Sequence, residues 1–292
     1  MHGAGNDFVV IDGAQEQIPE QHLAAVARHA CDRHFGIGGD GFILVLPSRA
    51  ANFKMRMMNP DGTEAEMCGN GIRVFAKYVF DRKMHTDPVM TVETLGGIKT
   101  VKLDTAGGRV RGARVDMGEP RLLRSEIPMK TPVRPGHHVP DDRGRVVAEP
   151  LKVAGRKIEI TCVSMGNPHC VTFVDDVDSY PVEKMGPQIE NHSSFPRRTN
   201  VEFTQLINSK ELKQRTWERG TGETLACGSG SCASVVAGVL TGRTGRKVTV
   251  HLRGGDLLIE WLGDNRMYMT GPAEEVFEGE VSAAEYEQWA RG

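Results

Sequence analysis

Cys227 stands directly before a Gly-Ser-Gly turn, and a run of small and apolar residues follows (ACGSGSCASVVAGVL, 226–240). The turn frees backbone N–H groups, and the run reads as a buried helix. A thiol at a helix N-terminus becomes a thiolate readily, because the dipole and the unsatisfied N–H groups favour negative charge. Cys68 has the same setting, in EMCGNGIRVFAKYV. The likeness runs further back. Asn59 and Glu218 each precede their cysteine by nine residues (68 − 59 and 227 − 218), and the cysteines are 159 apart (227 − 68). A second echo, HGAGNDFVVID against SMGNPHCVTFVDD, sets Asn6 against Asn167 at nearly the same offset, 161 (167 − 6). Two weak similarities at one offset indicate a duplicated domain.

Duplication makes Cys68 and Cys227 equivalent, and two facing domains would bring both thiols to one interdomain cleft. Acid–base groups on opposite faces of one carbon suit racemisation or epimerisation: one removes a proton, the other returns a proton to the far face. The turns Gly69-Asn70-Gly71 and Gly228-Ser229-Gly230 let backbone N–H groups approach an anion closely. A substrate carboxylate held there would be stabilised as its α-carbon becomes a carbanion. Either turn alone could equally serve close helix packing. Asn6, Asn59, Asn167 and Asn200 lie at ends of strand-like segments, where Asn is commonly turn chemistry. Glu218 and Arg219, nine and eight residues before Cys227, suit an ammonium and a carboxylate; as a plain pair they would be a solvated surface bridge. His169, close behind Asn167, is placed to tune a thiol.

The elements that must hold these groups are mostly short strands. FVVID, GFILVL, KIEITCV, KVTVHL, DLLIEWL and RMYMTG are separated by Gly or Asp turns. GIRVFAKYVF and SCASVVAGVL are apolar nearly all round, as helices buried on every side are. The expected class is α+β: two pseudo-symmetric domains, each a curved, barrel-like, mostly antiparallel sheet around one central helix. The expected boundaries are 1–118 with 273–292 for the first domain and 119–272 for the second. Residues 121–147, rich in Pro, Gly, Arg and His, read as a connector with loops. The 292 residues are 39% hydrophobic and 25% charged, enough to bury a core, and a net charge of −2 gives no case for nucleic acid or an anionic membrane. MHGAGNDFVVID has neither a basic n-region nor a long apolar run, so the chain reads as cytosolic. Six cysteines in such a chain are not a disulfide scaffold. Cys162, His169 and Cys170 match no common zinc spacing; Cys31 and Cys232 read as inert buried thiols.

HGAGNDFVVID, MNPDGTEAEMCGNGIRVFAKYV, SMGNPHCVTFVDDVD, ERGTGETLACGSGSCAS and MYMTGPA, in this order, resemble the diaminopimelate epimerase family. The resemblance implies a cytoplasmic isomerase, independent of pyridoxal phosphate and of any other cofactor or metal. It would interconvert LL- and meso-2,6-diaminopimelate in lysine, and usually peptidoglycan, biosynthesis. Cys68 and Cys227 would be the thiol and thiolate, and the Gly69-Asn70 and Gly228-Ser229 turns would hold the reacting end of the substrate. Asn59, Asn167, Asn200 and Arg219 would contact its distal end; Asn6 and Glu218 would lie near the reacting amine; His169 and Glu218 would tune the thiols. The implied partner is a small molecule, with neither nucleic acid nor membrane, and a homodimer is left open. One departure stands out: Gly41 occupies a position where many members carry Gln. Proline or hydroxyproline racemases share the fold and thiol pair, and a phenazine-type isomerase the fold alone. A thiol redox protein or a diamino-acid binding protein would use only part of this set.

Overall fold

In a computed structural model, residues 1–130 and 144–291 are described. The chain divides into two units, Met1–Asp116 with Thr270–Gly292, and Met117–Met269. In the first, the strands are β1 (His2–Gly3), β2 (Asn6–Asp12), β3 (Gly41–Leu46), β4 (Phe53–Met58), β5 (Val89–Thr94), β6 (Gly97–Ala106) and β7 (Arg109–Gly118), with helices α1 (Glu20–Cys31) and α2 (Gly69–Asp81). The second holds β8 (Glu149–Val153), β9 (Arg156–Ser164), β10 (Pro168–Phe173), α3 (Val182–Glu190), β11 (Asn200–Asn208), β12 (Glu211–Glu218), β13 (Gly222–Thr224), α4 (Gly228–Leu240), β14 (Lys247–Leu252) and β15 (Gly255–Trp261). β16 (Met267–Pro272) leads back to the first unit, which α5 (Ala283–Arg291) completes. Every apolar run read as a strand in the sequence is one.

The duplication appears as one pairing rule used twice. β1–β2 is antiparallel, β2–β3 parallel, β3–β4 antiparallel, β4–β5 parallel and β5–β6 antiparallel. β9–β10, β10–β11, β11–β12, β12–β14 and β14–β15 repeat that series. Parallel neighbours need a crossover, and α1 and α3 supply the first crossover of each unit, α2 and α4 the second. The second pair are the central helices. Residues 69–77 of α2 are buried without interruption, as are 230–238 of α4, so the surrounding strands cover them on all sides.

α1 and α3 lie on the other face of each sheet. α1 buries Leu23, Val26, Ala27, Ala30 and Cys31 against Phe42, Leu44 and Met58, with Tyr286, Trp289 and Ala290 of α5 packed on the same cluster. In the second unit, Met185 and Ile189 of α3 pack with Cys162, Cys170, Val201 and Phe203. Alternation along β10 and β11 then sends His169, Glu202 and Thr204 to the opposite face, toward α4, where Thr204 and Ser234 share a hydrogen bond of 3.1 Å. Of the expected connector, Ile127, Met129 and Val146 belong to this core, and Arg124 forms a buried pair with Glu149; residues 131–143 lie outside the described residues.

Candidate active site

The cluster in the first unit begins at a two-residue turn. Ala4 and Gly5 both have positive φ, 55° and 79°, the twist that closes a tight hairpin, and Gly5 takes it without steric cost. The resulting register, Gly3 opposite Asn6, sets Asn6 as the first residue of β2. Its Nδ2 donates to Asp40 Oδ2 at 2.7 Å. Its Oδ1 accepts from Asn70 Nδ2 at 3.1 Å and lies 3.8 Å from the Cys68 thiol. Cys68 caps α2 from an extended conformation, and its sulfur accepts the Gly71 N–H at 3.4 Å. Beneath it, fully buried Arg73 donates to the carbonyls of Gly69 and Pro272, each at 3.1 Å. Burial draws the Arg73 guanidinium down to about 10, and attraction to Cys68 works the other way. Asn59 sits apart in the turn after β4, bonded through Nδ2 to Thr63 Oγ1 at 2.9 Å.

The cluster in the second unit repeats the frame with different chemistry. Cys227 caps α4, with its sulfur 3.7 Å from Ser229 Oγ. Asn167 Nδ2 donates to that hydroxyl at 3.4 Å, and Asn167 Oδ1 meets His169 Nε2 at 3.0 Å. His169 Nδ1 meets Glu202 Oε1 at 2.8 Å, and both side chains are 0% exposed. Glu202 Oε2 has no hydrogen-bond partner among the described residues. Glu218 accepts the Thr224 hydroxyl at 2.6 Å. Asn200 is tied to backbone at both ends: Nδ2 donates to Pro168 O and Oδ1 accepts the Arg219 N–H, each at 2.9 Å. The exposed Arg219 reaches Arg197 O at 3.1 Å.

The expectation of an easily formed thiolate needs correction at Cys227. Burial, then the carboxylates of Glu218 and Glu202, push this thiol well above its ordinary value; the Gly230 N–H and the Ser229 hydroxyl oppose them without prevailing. A helix dipole is worth about 0.3–1 kcal/mol at an exposed terminus, too little to offset desolvation of a buried thiolate beside two carboxylates. Cys68, half-exposed, has a cation behind it instead.

Register shows where the halves diverge. Phe8 faces Gly41 and Val10 faces Ile43 across β2–β3; His169 faces Asn200 and Val171 faces Glu202 across β10–β11. The His169–Glu202 pair is therefore replaced by Phe8 and Ile43 in the first unit, and Gly41 is the counterpart of Asn200. A side chain at Gly41 would meet Met57 Cε at 2.9 Å and Phe8 Cδ1 at 3.2 Å, so these residues fill the space a Gln would need. Sequence reasoning passed over Asp40, Arg73 and Glu202. Glu202 carried a signal, a lone carboxylate inside the apolar run NVEF. Asp40 carried a weaker one, an acid between glycines at the mouth of a strand.

The sequence profile of the family described as "Diaminopimelate epimerase" matches residues 1–123 and 161–276. A curated relative of that name from Pelotomaculum thermopropionicum is 56% identical over 279 residues, covering 96% of each chain. One from Methanococcus maripaludis is 50% identical over 96% of this chain and 98% of its own. Among solved structures, a probable proline racemase from Agrobacterium radiobacter K84 superposes with a TM-score of 0.69 over 100% of this chain and 94% of that one, at 14% identity. A Bacillus anthracis phenazine biosynthesis protein of the PhzF family gives 0.68 over 97% and 95%, at 16% identity. These two likenesses speak for the fold alone.

Proposed function

The chain belongs to the diaminopimelate epimerase family, isomerases that interconvert LL- and meso-2,6-diaminopimelate, and on that premise we propose that Cys68 and Cys227 are its two acid–base groups. One observation carries the reading. On the same pairing pattern, each unit presents a cysteine capping a central helix, a Gly-x-Gly first turn and an asparagine amide within reach of that helix start.

In this reading one thiolate takes the α-proton from one face of the carbon, and the other thiol gives its proton to the opposite face. The net change is inversion, with the charge moved from one sulfur to the other. Cys227, whose surroundings favour the protonated form, starts as the acid; Cys68, with Arg73 behind it, starts as the base. Roles reverse for the back reaction. The N–H groups of Gly69-Asn70 and Gly228-Ser229, at two helix starts, stabilise the carboxylate as charge builds on the α-carbon. Asn6 and Glu218 take the reacting ammonium, and Asn59, Asn167, Asn200 and Arg219 the distal end. His169 and Glu218 set the proton affinity near Cys227. The test is incubation with LL-diaminopimelate in D₂O. Deuterium should enter at one α-carbon as meso product forms. Meso product that forms without solvent deuterium would overturn the two-base assignment.

A further inference from the structure

An asparagine amide is nearly symmetric in shape, so its partners decide which end faces a ligand. Asn6 has its end chosen by one residue. An ionised carboxylate only accepts, so Asp40 Oδ2, 2.7 Å from Asn6, must meet the NH₂ end. Asp40 cannot easily turn away. Its Oδ2 also takes the Asp7 N–H at 3.2 Å, its Oδ1 takes Arg33 Nη2 at 2.8 Å, and its own N–H donates to Asp7 O at 2.8 Å. Arg33 in turn grips both Asp7 oxygens, at 2.7 and 2.9 Å. The Asn6 carbonyl oxygen is thereby left facing Cys68 and Asn70.

We propose that Asp40 is a positioning residue for epimerisation: it holds the Asn6 amide with its carbonyl oxygen toward Cys68, as an acceptor for the substrate's α-ammonium. This rests on the reading of Asn6 given under Proposed function. With the amide reversed, two N–H donors would face an ammonium that can only donate. In the second unit Asn167 lies between other groups, His169 at 3.0 Å and Ser229 at 3.4 Å. Thr199 precedes Asn200 as Asp40 precedes Gly41, and its hydroxyl bonds Asn200 O instead. The duplication therefore held no echo of Asp40.

The experiment is a double-mutant cycle on kcat/KM with both diaminopimelate isomers, checked by thermal melting. Asp40→Asn keeps the shape but lets either end of residue 40 meet Asn6. It should lower kcat/KM about tenfold in the wild-type background and less than twofold when Asn6 is already alanine. Asp40→Glu, still acceptor-only, should recover part of the loss. Arg33→Gln, which cuts the ion cluster but leaves the carboxylate, should stay within about threefold of wild type. An equal loss from Asp40→Asn in both backgrounds would make Asp40 merely structural, and no loss in the wild type would also overturn the proposal. Wild-type activity in Asn6→Ala itself would remove the Asn6 reading, and this proposal with it. Loss in Asn6→Ala with none in Asp40→Asn would remove the proposal alone.

Discussion

Gly230 and Gly71 hold the same place in the two units, the third residue after the capping cysteine, yet alanine should act very differently at each. A Cβ on Gly230 would stand 2.6 Å from Glu202 Oε1 and 3.2 Å from Cys227 Sγ. Reaching the 3.4 Å of ordinary contact needs about 0.8 Å of movement. Glu202 has nowhere to go, being fully buried and bonded to His169. A Cβ on Gly71 would meet Ile43 Cδ1 at 3.2 Å, and Cys68 Cβ and Met57 Sδ at 3.4 Å, so about 0.2 Å suffices and a flexible side-chain end supplies it. Alanine in a helix interior stabilises by about 0.5–1 kcal/mol over glycine, and overpacking costs about 1–3 kcal/mol. Gly230→Ala should lose about 1–2 kcal/mol net and Gly71→Ala should be near neutral. At about 2–4 °C per kcal/mol, melting would separate them by several degrees. Displacement approaching 1 Å at a reacting group costs about 10²-fold. Gly230→Ala should therefore lose about that in kcat, while Gly71→Ala stays within about threefold. Equal losses in the two variants would refute the claim that the buried carboxylate makes the second unit's cluster intolerant.

Cys68→Ala and Cys227→Ala should each lower turnover by at least about 10²-fold, since each removes one of two proton-transfer groups; more than a tenth of wild-type activity in either would exclude a two-thiol mechanism. Arg219→Lys should raise KM more than it lowers kcat, because an ammonium cannot make the two-pronged carboxylate contact, and unchanged steady-state constants would place Arg219 outside recognition. Cys232, buried in α4, has its thiol pushed by burial from 9.0 up to about 12. The folded state then keeps a proton that the unfolded chain releases above pH 9, so stability should fall as pH rises from 9 toward 12, by up to about 1.4 kcal/mol per pH unit for this thiol. Urea midpoints of Cys232→Ala should fall less steeply than wild type between pH 8 and 11; parallel curves would contradict this.

The architecture was legible because strand alternation, two largely apolar helix runs and a repeated offset are patterns a sequence displays directly. α1 and α3 were less so. α3 carries Pro187 within nine residues, and a proline ordinarily argues against a helix. Of the site, the cysteines, Asn6 and Asn167 were marked by the repeat, and His169 by its place close behind Asn167. Asp40, Arg73 and Glu202 were not, because each acts through a partner that only the folded sheet brings near. The thiolate expectation failed for a related reason: a dipole can be read from one helix, whereas burial and the charges of Glu202 and Glu218 belong to other elements.

The return of residues 270–292 to the first unit fixes an order of events on the ribosome. The second unit is continuous in sequence and has all its strands once residue 269 emerges. The first unit, though synthesised earlier, lacks these later pieces until residues 270–292 follow. His2 pairs with Glu274 through two backbone bonds of 2.9 Å, and the α1 cluster takes Tyr286, Trp289 and Ala290 from the last helix. At about 5–20 residues per second, the α1 cluster waits tens of seconds for these three side chains, with β3 and β4 to cover it. The half translated first is thus the half finished last, and the nascent chain should depend most on chaperones in that interval.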